Sequence, residues 1–124
     1  MGHKNKQTLT PLIKEMKKAM QKMSAYGQSK HSDKLAEKAT GESISKDKIY
    51  SYNTMKTYQK HLIYFLKDTL RKHKNIRNLS ECEQYVEEWL QGRIGRYSSY
   101  TLKMELSALA KLYHKSAEDY PVEI

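Results

Sequence analysis

Apolar residues recur along this chain at three- and four-residue spacing. Leu12, Ile13, Met16, Ala19, Met20 and Met23 fall on one face of a helix, with Lys14, Lys17, Lys18 and Lys22 elsewhere, which predicts a helix over residues 11–25. Thr10 is positioned to cap it, Pro11 suits a first turn, and Gly27 stands at or just past its end. A second helix is predicted over 52–72, with Met55, Tyr58, Leu62, Phe65 and Leu66 inward. A third begins at Ser80, where Ser80 and Glu83 have capping-box spacing. It turns Cys82, Val86, Trp89 and Leu90 inward and Glu83, Glu87 and Glu88 outward. The last is predicted over 99–118 and lined by Leu102, Leu106, Leu109, Tyr113 and Ala117, with Pro121 stopping it.

Residues 29–45 are polar and carry no core stripe. They read as a lysine-bearing linker, partly mobile, that allows at most a short helix over 33–39, with Gly41 and the serines after it as loop. No segment sustains the alternation of a strand. The expected fold is all-α, a bundle of about four principal helices. Residues 1–48 supply the first helix and the basic linker, and 49–124 the remaining helices of the same domain.

Charge adds the first functional constraint. Twenty-three Lys and Arg against 14 Asp and Glu give a net charge of +9, which favours polyanionic partners, nucleic acid or an anionic membrane surface. Lys56, Lys60, Lys67 and Arg71 are separated by nearly whole helical turns and so share one sector, a row able to follow phosphates, although Ile63 interrupts it. Arg93 and Arg96, set among Gly92 and Gly95, offer further phosphate contacts in a sharp connection. The acidic outer side of the third helix would repel phosphate and should point away from it.

Several classes are disfavoured. A lone cysteine, Cys82, excludes an internal disulfide and reads as a small buried apolar residue. Met1-Gly2 lacks the Ser or Thr at position 6 that myristoylation would want, no apolar run reaches membrane-spanning length, and a cytoplasmic protein is the default. The five histidines show no metal-ligand spacing, and no Gly-rich phosphate loop or nucleophile–base set is present, so neither cofactor, metal nor enzymatic activity is expected.

The series Thr54-x-x-x-Tyr58-x-x-x-Leu62-x-x-Phe65, then Tyr85-Val86-Glu87-Glu88-Trp89-Leu90, then Ser98-x-x-Thr101-Leu102, Leu106-Ser107-Ala108-Leu109 and Tyr113 resembles the core-binding, SAM-like domain of tyrosine recombinases, the phage-integrase family. The order and separation of these pieces carry the resemblance, which is clearest over residues 49–117. It implies a helical module that lies on one side of duplex DNA at a recombination site and supports integration and recombination by a catalytic domain. It also implies that two helices approach the major groove. In this sequence they begin near Ser51 and Ser99, which makes Ser51, Asn53, Lys56, Thr57 and Lys60, and Ser98, Ser99, Tyr100 and Lys103, candidate DNA contacts. Serines at helix starts also serve as caps.

The family's His-x-x-Arg box is missing from this sequence, and none of the ten tyrosines is assigned as a nucleophile. The resemblance therefore implies a non-catalytic piece of a longer recombinase, monomeric when isolated, whose catalytic domain would follow Ile124. Two other readings stay open: another basic nucleic-acid-binding helical protein, and a helical protein-interaction module whose basic faces only solvate.

Overall fold

The computed structural model describes residues 2–124, with side chains from Leu9 onward. The helices are α1 (Gly2–Gln21), α2 (Lys30–Thr40), α3 (Tyr52–Lys72), the single turn α4 (Leu79–Cys82), α5 (Val86–Gln91) and α6 (Ser99–Leu112). No strand occurs among the described residues. α1 and α6 pack against α3, and α4 and α5 close the remaining side. One core joins them: Leu12, Met16 and Met20 of α1, Met55, Leu62, Phe65 and Leu66 of α3, Cys82, Val86 and Leu90, and Leu102 and Leu109 of α6. Phe65 meets Trp89 edge-on at 5.3 Å between centroids, and the Trp89 indole donates to Asp68 at 2.9 Å.

α3 and α6 run in opposite senses. His61, midway along α3, meets Glu105 midway along α6. The Lys111 ammonium near the end of α6 reaches the carbonyl of Lys48, just before α3 begins. Thr101, in the first turn of α6, shares a cleft with Tyr64 and Lys67 of the second half of α3.

The helix boundaries correct the sequence in four places. α1 does not start at Thr10: it runs through Pro11, which lies inside the helix at the expense of one backbone bond. It also ends at Gln21, because Met23 and Ala25 bond to Ile49 instead (Ile49 N–H to Met23 at 2.8 Å, Ala25 N–H to Ile49 at 2.9 Å). The third helix is capped by Asn78 in a capping box with Glu81, two residues before the expected Ser80, and a 3-10 turn at Glu83–Tyr85 breaks it. Glu83 is half-buried, accepting from the Tyr120 hydroxyl at 3.0 Å and pairing with Lys115 at 2.6 Å, so it does not belong to an open acidic face.

α6 stops at Leu112, six residues short of the expected end. The chain turns where His114 takes φ 55°, with Lys115 N–H bonded to Ala110 and His114 N–H to Lys111. Ala117 therefore lies outside the helix, and the tail folds back to bury Tyr120. A left-handed histidine costs roughly 1–2 kcal/mol, against the roughly 0.5–1 kcal/mol of added unfolded-chain entropy that glycine brings. His114→Gly is expected to stabilise the fold by about 0.5 kcal/mol, read as a higher urea midpoint.

The polar stretch 29–45 holds a full helix. Ser29 caps α2 by accepting from Ser32 N–H, and Gly41 ends it at φ 76°. No α2 residue is fully buried, so polar ties hold it in place of packing. The Glu37 carboxylate accepts from the backbone N–H of Ile44 and of Ser45 and from the Ser45 hydroxyl. Asp33 accepts from the Tyr50 hydroxyl at 2.6 Å and from Lys48 at 3.0 Å.

The three donors from Ser45 and Ile44 hold the Glu37 carboxyl down to about 2, from an ordinary value of 4.5. Stabilisation from that tether is complete above the unfolded value and is lost as pH falls from about 4.5 towards 2. Amide exchange at Ile44 and Ser45 is expected to accelerate over that interval relative to amides in the middle of α3.

Candidate nucleic-acid interface

The amphipathic period that buries Met55, Leu62 and Phe65 leaves Asn53, Lys56, Thr57, Lys60, Tyr64, Lys67 and Arg71 exposed along α3. Lys56, Lys60 and Lys67 pair with no carboxylate among the described residues, whereas Arg71 is bonded to Asp68 at 2.7 Å. The Lys56 ammonium lies 5.6 Å from the centroid of the Tyr52 ring. α1 adds Lys17, which lines a groove of about 270 Å³ with Lys56, Lys60, Ile63 and Tyr64. Ile63 packs partly against the core, so it borders the basic row instead of breaking it.

The start of α6 forms a second group. Ser98 caps the helix, accepting from Thr101 N–H at 3.1 Å and donating to the Thr101 hydroxyl at 3.0 Å. Ser99, Tyr100 and Lys103 are exposed, Tyr100 at 82%. Arg96 is exposed in the preceding connection, where Gly95 takes φ 86°. Because α3 and α6 are antiparallel, Ser51 and Asn53 lie at the opposite end of the helix pair from Ser98 and Ser99. The α3 residues that do meet the start of α6 are His61, Tyr64 and Lys67, which share a cleft of about 420 Å³ with Arg93, Tyr97 and Thr101. At the other end, Ser51 caps α3 by accepting from Thr54 N–H.

Arg93 is turned inward. Its Nε donates to Glu105 Oε1 at 2.9 Å and its Nη2 to Oε2 at 2.7 Å, and the guanidinium lies over Trp89 (4.4 Å) and Tyr97 (4.0 Å). The His61 ring adds Nδ1 at 2.7 Å to Glu105 Oε2. These bonds engage two of the five guanidinium N–H donors of a side chain that is only 11% exposed, so Arg93, a candidate phosphate contact in the sequence, is held against Glu105. Glu105 is the one fully buried ionisable carboxylate among the described residues. Its signal was present: an acid three residues after Leu102 and four before Leu109 lies on the buried stripe. Lys17 had a weaker signal, since α1 carries five lysines with nothing to rank them.

Lys111 is half-buried and donates to the carbonyls of Lys46 and Lys48. Burial lowers its pKa, as to a lesser degree does the charge of Lys30. Burial also raises the Tyr58 hydroxyl, with a smaller contribution from Tyr100. Cys82 is buried and its thiol is pushed up to about 12 by that burial, so it is not nucleophilic at neutral pH. Among the described residues no three His, Cys, Asp or Glu side chains gather to hold a metal ion, and no helix is long and apolar enough to cross a membrane.

Residues 41–118 match the family model of the phage integrase N-terminal SAM-like domain. No curated protein and no solved structure matches the chain.

Proposed function

This chain belongs to the phage integrase N-terminal SAM-like domain family, and on that premise we propose that it is a duplex-DNA-binding, non-catalytic module of a site-specific tyrosine recombinase, supporting DNA integration and recombination. The observation that carries the reading is the row Lys56, Lys60 and Lys67: exposed on one long helix, free of carboxylates, and widened by Lys17. Such a row neutralises backbone phosphates and releases their counterions. Asn53 and Thr57, short polar side chains in the same exposed stretch, suit base edges, and Ser99, Tyr100 and Lys103 extend the contact from α6. Arg71 is bonded to Asp68 through Nη2 and is 75% exposed, which leaves its other N–H donors for phosphate.

The test is a duplex-binding titration between 50 and 200 mM salt. Log affinity is expected to fall linearly with log salt by about 0.9 per phosphate neutralised. Asn53→Ala and Thr57→Ala are expected to change preference among duplexes while keeping the salt slope. Absence of binding at the lowest salt, or affinity indifferent to salt, overturns the reading.

A further inference from the structure

A pocket of about 230 Å³ opens where α2, the segment before α3, the first turns of α3 and the end of α6 meet. Lys30, Lys48 and Lys111 bound it, and the hydroxyl-bearing side chains of Thr54 and Tyr58 line it between them. Lys48 is already neutralised by Asp33 at 3.0 Å. Lys30 and Lys111 have no carboxylate at ion-pair distance among the described residues.

Lys111 is anchored by the two carbonyls it reaches, at 2.8 and 3.0 Å, leaving one of its three N–H donors uncommitted. Its ammonium is close enough to Lys30 for the two charges to oppose one another, with Asp47 giving partial relief. A fold that holds two like charges about a cavity gains when an anion enters. The N-terminus of α3 does not do the selecting, because the Ser51 hydroxyl already occupies the Thr54 N–H.

We propose that this pocket grips one phosphate group, a backbone phosphodiester of the bound duplex, between Lys30 and Lys111. Ammonium point charges beside hydroxyl donors suit a tetrahedral oxyanion, and the volume admits a phosphodiester with part of its flanking sugars. Lys30 lies outside the matched residues 41–118, so the contact is an addition carried by α2. The duplex as source of the phosphate rests on the DNA-binding reading above; the anion site does not.

The probe for the pocket is inorganic phosphate, titrated into the isotope-labelled chain and followed by amide chemical shifts. Saturable shifts are expected at Ser45, Lys48 and Thr54, and are expected to weaken in Lys30→Gln, an exposed residue whose loss should leave the unfolding midpoint unchanged. For the duplex, the salt slope of Lys30→Gln is expected to be shallower than wild type by about one unit. Phosphate shifts that are absent, or indifferent to Lys30→Gln, overturn the pocket. Phosphate shifts with an unchanged duplex slope overturn the duplex as its ligand. Should the wild-type chain fail to bind duplex at all, the functional reading falls, while the phosphate titration still decides the site.

Discussion

Glu105→Ala is expected to lower the unfolding free energy by about 3–5 kcal/mol. The carboxylate is fully buried and takes two hydrogen bonds from Arg93 and one contact from the His61 ring. Removing it strands a guanidinium that is itself only 11% exposed. For a fold with a total stability of roughly 5–15 kcal/mol, that loss leaves little margin. Replacing both partners by apolar groups, Arg93→Met with Glu105→Leu, is expected to cost less than Glu105→Ala alone, because no charge is then left buried. Urea unfolding of the two variants and the two matching singles measures this directly. A loss below about 1 kcal/mol for Glu105→Ala would mean that water reaches Arg93 and that the pair does not anchor the 92–98 connection against α6.

The second large effect is on binding. Changing Lys56, Lys60 and Lys67 together to Gln is expected to flatten the log–log salt dependence by close to three units, about 0.9 for each lysine. Fold stability should barely change, since all three are exposed and none pairs with a carboxylate among the described residues. Glu87→Gln is the matched control: it is exposed on α5, and its removal should leave the slope alone. Glu83 is unsuitable for that purpose because it ties Lys115 and Tyr120 together.

The legibility of this chain follows from how each segment is held. α3 was readable at both ends because Ser51 caps it and its apolar stripe is continuous, and the resemblance carried by Tyr58, Leu62, Phe65 and Trp89 agrees with the family that the chain matches. α2 was hidden because it packs no apolar face: Glu37 and Asp33 hold it from the side, and those bonds join residues seven to seventeen positions apart. The end of α6 was overrun because His114 adopts a conformation that usually announces itself as glycine. Among candidate contacts, the exposed lysines of α3 followed from helical period alone. The fate of Arg93 depended on Glu105, twelve residues away, and on an antiparallel helix pairing that periodicity does not encode.

The central claim is that the exposed flank of α3, joined by the start of α6, faces DNA. Amide chemical-shift mapping of the labelled chain with a duplex tests it most directly. The account predicts perturbations concentrated at Asn53, Lys56, Thr57, Lys60, Tyr64 and Lys67 and at Ser99 to Lys103, with Glu87 and Glu88 on α5 silent. Perturbations centred on α5, or none at any duplex concentration in low salt, would contradict it.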